Sequence, residues 1–109
     1  MEMTNNYRRG YAFELRVKKY FESLGFYVVR SAGSHGVADL VAFQKNRNNP
    51  PILIQCKRHG IISKAERKML FHVATSISAW PVLSYMNENH TLIFDILDNE
   101  QEGHQVPFV

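Results

Sequence analysis

Three polar side chains stand out in two short segments that are otherwise apolar: Asp39 in GVADLVAF, and Gln55 and Lys57 in ILIQCK. Alternate residues of a strand share one face, so a hairpin closed by residues 45–51 places Asp39 opposite Gln55 or Cys56. Cross-strand neighbours lie about 5 Å apart, close enough for two side chains to share one ion. Because a buried carboxylate is unfavourable without a partner or a metal, Asp39 requires an explanation.

Two explanations of this cluster are open. In the structural one, Asp39 pairs with Lys57, or accepts hydrogen bonds from backbone amides of the glycine-containing loop before it. In the functional one, Asp39 and the side-chain oxygen of Gln55 bind a hard divalent cation such as Mg²⁺ or Mn²⁺, and the backbone carbonyl of Cys56 adds a third oxygen. Lys57 then orients or helps to deprotonate an attacking water, whose pKa the metal lowers. The Cys56 thiol faces away, as a small core side chain does.

The elements that must position these residues follow from periodicity and turn residues. An apolar stripe at helical spacing predicts a first helix over residues 7–24, followed by Gly25 as its cap. Ser63 and Glu66 have the spacing of a capping box and predict a second helix to about residue 78. Its predicted inward row is Ala65, Met69, Val73 and Ile77. Aromatic and β-branched residues predict strands over residues 26–30, 37–43, 52–57, 81–85 and 91–97.

The resulting order, α-β-β-β-α-β-β, indicates an α/β protein with one mixed sheet, carrying a helix on each side or both helices on one face. With 109 residues, the chain has the size of one domain over residues 1–109. Residues 1–6 and about 98–109 are predicted to be flexible tails or contacts with a second copy.

Composition excludes several classes of protein. Hydrophobic residues make up 45% and charged residues 21% of the chain, as in an ordinary globular domain. No apolar run reaches the roughly 18 residues of a membrane span, and the N-terminus lacks the apolar run of a secretory signal. The single cysteine fits a reducing compartment. We therefore expect a cytoplasmic protein without a membrane partner.

Charge is distributed unevenly along the chain, whose net charge is +3. Basic side chains crowd the first helix and a second segment, whereas acidic ones gather near the C-terminus. The basic residues are Arg8, Arg9, Arg16, Lys18 and Lys19 in the helix, and Lys57, Arg58, His59, Lys64, Arg67 and Lys68 in the second segment. This pattern favours phosphate groups as a partner, although two solvated helix faces explain the charge equally well.

The string RRGYAFELRVKKYFESLGFYVVRSAGSHGVADLVAF, followed by LIQCK, resembles the archaeal-type Holliday junction resolvases. These belong to the PD-(D/E)XK nuclease group, named for an Asp that is followed on the next strand by an acidic residue, any residue and Lys. The similarity runs from about Arg8 to Lys57, and the order and spacing of the motifs are fairly specific. The resemblance implies a restriction-endonuclease-like core, in which helices flank a central mixed sheet.

The same resemblance implies a metal centre. It implies metal binding at Asp39, at Gln55 and at Glu14 of the first helix, and a water-positioning role for Lys57. The alternative for Glu14 is an ion pair with Lys18, one helical turn later. The resemblance also implies contacts with the DNA backbone near the cut, made by Arg8 or Arg9, Arg30, and the loop of residues 31–36. Arg58, directly after Lys57, is assigned to the DNA as well. In that loop Ser34 bonds a phosphate and His35 assists, unless both are ordinary polar loop residues.

Two departures from the family pattern concern the motifs themselves. Ala38 replaces the proline before the Asp, which leaves the chemistry unchanged. Gln55 replaces the usual acidic ligand; its amide oxygen still binds a cation but brings no charge, so metal affinity should fall.

The predicted function is a metal-dependent endonuclease that cuts four-way DNA junctions as a homodimer and uses no small-molecule cofactor. A general, flap, repair or restriction-type nuclease is a second hypothesis, since one metal centre serves all of these. A third is a catalytically silent DNA-binding subunit, disabled by Gln55. Candidate contacts of the dimer are residues 106–109, the 81–85 strand and Trp80.

Overall fold

The computed structural model of the chain describes residues 5–31, 36–46, 48–97 and 104–105. Its elements follow the predicted order, with one strand added. They are α1 (Asn5–Ser23), β1 (Tyr27–Arg30), β2 (Leu40–Phe43), β3 (Ile52–Cys56), α2 (Lys64–Ser76), β4 (Trp80–Met86), β5 (Leu92–Ile96) and β6 (His104–Gln105). Neither helix is long and apolar enough to cross a membrane within these residues.

The six strands form one mixed sheet, in which they lie side by side in chain order. β3 and β4 are parallel, and the other neighbouring strands are antiparallel. The parallel pair exists because α2 carries the chain from the end of β3 back to the start of β4. The short strand β6 pairs with β5, within the segment that the sequence analysis predicted as a flexible tail or dimer contact. The mixed α/β fold is confirmed.

Helix α1 covers one face of the sheet with the predicted apolar stripe. Phe13, Val17 and Phe21 are buried and pack on apolar residues of β1, β2 and β3. The ring centroid of Phe21 lies 5.2 Å from that of Phe94 on β5. Gly25, directly after the helix, has a φ of 92°, a left-handed conformation that glycine adopts without strain. Since each buried apolar side chain contributes about 1.5–3 kcal/mol, α1 is firmly held against the sheet.

Helix α2 covers the opposite face, so one helix lies on each side. It begins at the predicted capping box, in which the Glu66 amide donates to Ser63 Oγ (3.1 Å) and the Ser63 amide donates to Glu66 Oε1 (3.3 Å). Leu70 and Ala74 are fully buried in a second core with Leu53 and other residues of the sheet. Glu66, Leu70 and Ala74 are four residues apart, so they occupy one row of the helix.

The predicted inward row of α2 is wrong for most of its members. It comprised Ala65, Met69, Val73 and Ile77. Met69 is 56% and Ile77 is 53% exposed, Ala65 is exposed, and only Val73 is half-buried. Two neighbouring rows of α2 are apolar, and helical spacing does not distinguish them. The row that continues from the capped Glu66 faces the sheet: Leu70 and Ala74 of this row are fully buried in the second core.

Strand ends and the predicted dimer contacts also differ from expectation. β2 begins at Leu40 and β3 ends at Cys56, so Asp39 and Lys57 lie one residue outside their strands. Residues 81–84 are buried between β3 and β5 and offer no surface to a second copy, whereas Tyr85, the last residue of the predicted contact strand, is half-buried. Trp80, at the start of β4, is 44% exposed. Residues 106–109 lie outside the described part of the chain.

Candidate active site

An open cleft of about 680 Å³ lies where α1, the end of β1, the start of β2, the end of β3 and the first turn of α2 meet. It brings together the residues of the predicted metal centre and two further charged side chains. The polar groups that line it are Glu14, Arg30, Asp39, Gln55, Lys57 and Glu66. They come from five segments of the chain, so the fold rather than local sequence assembles them.

Asp39 is positioned by its own backbone. Its amide donates to Ile54 O (2.9 Å), and its carbonyl accepts from the Ser31 amide (2.8 Å). Leu40 pairs with Ile54 across β2 and β3; continued by one residue, this antiparallel register places Asp39 opposite Gln55. The Asp39 carboxylate enters the cleft, where Oδ2 accepts a hydrogen bond of 2.8 Å from the Cys56 amide.

The electrostatic environment of Asp39 disfavours its charge. Burial raises the pKa of this carboxyl above its ordinary value, and the negative charge of Glu66 raises it further, while the Cys56 amide and the Lys57 ammonium act in the opposite direction. An ion pair between Asp39 and Lys57 does not account for the buried acid, because Lys57 Nζ lies 2.6 Å from Glu66 Oε2. Within the described residues, the amide that binds the Asp39 carboxylate is that of Cys56 at the end of β3; residues 32–35 of the glycine-containing loop lie outside the described part of the chain.

Glu14 lies in the middle of α1 and faces Arg30 at the end of β1. Arg30 Nε donates to Glu14 Oε2 at 2.8 Å. Burial raises the pKa of Glu14, the Arg30 hydrogen bond lowers it, and the charge of Asp39 raises it again, so the two carboxylates repel each other. The alternative that Glu14 pairs with Lys18 is wrong, since Lys18 forms an i,i+4 pair with Glu22 at 3.8 Å.

Arg30 is held from two sides. Besides its bond to Glu14, its guanidinium carbon lies 4.6 Å from the centroid of the Tyr11 ring, within the range of a cation–π contact. The hydrogen bond to Glu14 raises the pKa of Arg30. Tyr11 was not singled out from the sequence; its place three residues before Glu14, on the same face of α1, was the available signal.

Glu66 is the charged residue of the cleft to which the sequence analysis gave only a capping role. Its bond to Lys57 is the main reason why the pKa of Glu66 is lowered. A glutamate at the third position of a helix ordinarily caps the helix, and nothing local distinguishes one that also reaches across to a strand. Gln55, opposite Asp39, is half-buried and lines the cleft.

Cys56 fits the core interpretation. It is half-buried and packs against the α1 side of the sheet. Burial raises the pKa of its thiol far above the ordinary value, and the charges of Asp39 and Glu14 add to this effect. A thiol that stays protonated is a poor nucleophile and a poor metal ligand.

The predicted DNA-contacting residues are partly described. Arg8 and Arg9 are exposed on the first turns of α1, and Arg58, directly after Lys57, is half-buried. Ser34 and His35 lie outside the described residues.

The donors of the cleft are oxygen atoms of different charge. Among the described residues, no three or more His, Cys, Asp or Glu side chains converge on one point. The predicted donor set is instead mixed: the carboxylates of Glu14 and Asp39, the amide of Gln55 and the backbone carbonyl of Cys56. Oxygen donors of this kind suit a hard divalent cation.

Comparisons with known proteins agree with one another. The family model described as archaeal Holliday junction resolvase (Hjc) matches residues 5–84. A curated protein of Methanocaldococcus jannaschii, named crossover junction endodeoxyribonuclease Hjc, is 44% identical over 55 residues, which are 50% of this chain and 38% of that protein. The alignment thus spans less than half of that relative. The solved structure of Hjc from Archaeoglobus fulgidus, described as a Holliday junction resolvase, matches with a TM-score of 0.68 and 19% identity, covering 92% of this chain and 84% of the other; this match shows the fold.

Proposed function

The chain belongs to the archaeal Holliday junction resolvase family, and on that premise we propose that it is a metal-dependent endonuclease that hydrolyses phosphodiesters of four-way DNA junctions. One observation carries the proposal beyond family membership. Glu14, Asp39, Gln55 and Lys57 line a single open cleft, although they lie on α1, directly before β2 and at the end of β3.

A divalent cation fits this cleft on chemical grounds. Burial raises the pKa of both Asp39 and Glu14; the charge of Asp39 raises the pKa of Glu14 further, and the charge of Glu66 raises the pKa of Asp39. A bound cation would relieve both the burial cost and the repulsion. Glu14, Asp39, the Gln55 amide oxygen and the Cys56 carbonyl would hold it, with Mg²⁺ or Mn²⁺ as the proposed ion. When bound, the metal polarises the phosphoryl oxygen and lowers the pKa of a bound water.

The side chains of the protein supply position and charge. Arg30, fixed between Glu14 and the Tyr11 ring, presents a guanidinium that can bind a phosphate of the DNA backbone in bidentate fashion. Lys57 brings an ammonium to the end of β3, where it donates hydrogen bonds to the attacking water or to a phosphoryl oxygen as negative charge builds there. Fixed donors aimed at developing charge are a major source of catalysis.

Substrate contacts are proposed on the basic face of the first helix and after β3. Arg8 and Arg9 are exposed on α1 and are assigned to the DNA backbone, together with Arg58; Ser34 and His35 keep the roles that the family resemblance implies.

We further propose a homodimer, because a two-fold pair of sites matches a two-fold junction and can cut opposing strands. Trp80, 44% exposed, remains a candidate contact, and light scattering of the purified chain tests the dimer.

One set of assays tests the function. The purified protein is incubated with a mobile four-way junction, a flap and a linear duplex of equal length, with Mg²⁺ or with EDTA. Paired symmetric nicks in the junction alone, dependent on Mg²⁺, are the expected result. Equal cutting of all three substrates would identify a general nuclease. Lys57→Ala should abolish cutting and leave junction binding and folding intact, since the ammonium acts on the reaction and not on the core.

A specific observation favours one alternative. This alternative is a catalytically silent DNA-binding subunit. Gln55 brings no charge, and the described residues contain no cluster of three acidic, cysteine or histidine side chains that could hold a metal ion. Such a protein would bind the junction with a steep salt dependence and cut none of the three substrates.

A further inference from the structure

We propose that Glu66 is a positioning residue for the reaction proposed above, on which this inference rests: from α2, its carboxylate holds the Lys57 ammonium in the cleft and supplies the negative charge beside Lys57 that Gln55 does not bring.

The ion pair between Lys57 and Glu66 has the geometry of a strong hydrogen bond. Lys57 Nζ lies 2.6 Å from Glu66 Oε2, and the two side chains retain 30% and 41% of their exposure. Pairs this accessible to water add little to the stability of a fold. Such a pair has a larger effect on the position of the lysine ammonium than on stability, because a lysine side chain without a partner samples many rotamers. The bond therefore fixes where the ammonium sits.

Glu66 can perform this task because its own side chain is fixed. Oε1 accepts from the Ser63 amide at 3.3 Å, while Oε2 faces Lys57. Ser63 Oγ in turn accepts from the Glu66 amide. One carboxylate thus connects the first turn of α2 to the end of β3, and Leu70 and Ala74, on the same helical row, anchor that turn to the sheet.

The negative charge of Glu66 acts inside the cleft. Glu66 and Lys57 line the same cleft as Asp39, so both partners lie near the reaction centre. Gln55 and Lys57 are two residues apart and share one face of β3. In the acid-x-lysine pattern that the family resemblance implies, an acid at position 55 would neighbour the lysine. Here Glu66 provides that acid from another element.

Glu66 acts on the lysine and not as a further metal ligand. The described residues hold no convergent group of three carboxylates, and Oε2 of Glu66 is occupied by Lys57. This distinction makes the role testable, because a change at Glu66 should alter Lys57 more than it alters metal binding.

The test compares Glu66→Gln with Ser63→Ala. Glutamine at the third helical position keeps the capping box but removes the charge, whereas Ser63→Ala removes the hydroxyl cap and keeps the carboxylate with its bond to the Ser63 amide. Glu66→Gln should slow single-turnover cutting of a four-way junction by about 10- to 100-fold, the loss expected from a misplaced group. Its melting temperature, junction affinity in EDTA and Mn²⁺ affinity should stay near those of the wild type. Ser63→Ala should lower the melting temperature and slow cutting far less than Glu66→Gln, because the carboxylate and the Ser63 amide that holds it both remain.

Two further measurements do not follow from a merely structural role. Adding Gln55→Glu to Glu66→Gln should restore most of the lost rate, because an acid again neighbours Lys57. Reductive methylation of lysines, followed residue by residue by mass spectrometry, should modify Lys57 several-fold faster in Glu66→Gln than in the wild type or in Ser63→Ala.

The inference is overturned if Glu66→Gln cuts or methylates at the wild-type rate, if it loses activity only in step with melting, or if Gln55→Glu restores nothing. A wild-type protein that cuts no substrate would refute the proposed function itself, and the inference would fall with it; the methylation rates would then still show whether the ion pair exists.

Discussion

Replacing Asp39 by asparagine should separate stability from function. The substitution keeps the size of the side chain and an oxygen that accepts from the Cys56 amide, but removes the buried charge. Burial raises the pKa of Asp39 in the folded state. The stabilising contribution of such an acid is therefore complete below its unfolded pKa of about 3.9 and is lost as pH rises through the higher folded value. Without metal at neutral pH, Asp39→Asn should be at least as stable as the wild type.

In the presence of metal, the wild type should instead be more stable than Asp39→Asn. At a metal concentration ten times Kd, binding stabilises the wild type by about 1.4 kcal/mol. For a domain of this size that corresponds to a rise in Tm of roughly 6–11 °C. Asp39→Asn, which lacks one of the two carboxylates of the donor set, should show almost no rise at the same concentration. Its rate of cutting should fall by about 10²–10³-fold or more, as for other groups that stabilise developing charge.

The assay is thermal unfolding in EDTA and in a Mg²⁺ or Mn²⁺ series, followed by single-turnover cutting of a four-way junction. Asp95→Asn is the matched control: Asp95 lies on β5, outside this cleft, where burial and the charge of Asp95 raise the pKa of Tyr85, so its variant should keep both the metal-induced rise and the cutting. If Asp39→Asn kept the wild-type rise in Tm or the wild-type rate, the proposed centre would be wrong. A markedly less stable Asp39→Asn in EDTA would contradict the electrostatic argument.

Three further predictions concern the ligands and the core. Gln55→Glu should retain activity and require less metal, measured as the half-saturating Mn²⁺ concentration; a complete loss of cutting would show that the amide has another task. Because the pKa values of Glu14 and Asp39 are both raised, metal affinity measured by calorimetry should keep increasing with pH above the ordinary carboxyl range of about 4, and a plateau already reached at that pH would contradict this. Leu70→Ala should lower the free energy of unfolding in urea by about 2–5 kcal/mol, since Leu70 is fully buried under α2; a loss below about 0.5 kcal/mol, typical of surface sites, would show that this side of the helix is not packed.

Local patterns were sufficient for much of the framework. The apolar stripe with Phe13, Val17 and Phe21 can be buried in only one orientation of the helix. The structure buries all three side chains, so the prediction of α1 is confirmed. The hairpin between β2 and β3 has few registers that keep its apolar faces inward, and the arithmetic of its loop placed Asp39 opposite Gln55 or Cys56. The capping box at Ser63 is a signal read within four residues, and it marks the start of α2 correctly.

Contacts between distant segments were not accessible in the same way. Arg30 and Glu14 are 16 residues apart, and the sequence offered Lys18 as an equally reasonable partner for Glu14. The rotation of α2 about its axis depends on which of two apolar rows meets the sheet. In the structure, the row with Leu70 and Ala74 meets it. The Arg30–Glu14 bond and the rotation of α2 both depend on contacts between residues that are far apart in the sequence. No periodic pattern in the sequence reveals such contacts.

Two backbone hydrogen bonds hold the main chain of Asp39 without help from residues 32–35 of the loop before it. The Ser31 amide and Ile54 carbonyl secure its main chain on both sides, and neither bond involves a side chain or a residue between 32 and 35. Insertions or exchanges in that stretch can accumulate between lineages while the carboxylate keeps its place. If residues 32–35 contact DNA as proposed, exchanging them should therefore change junction affinity more than it changes the position of Asp39.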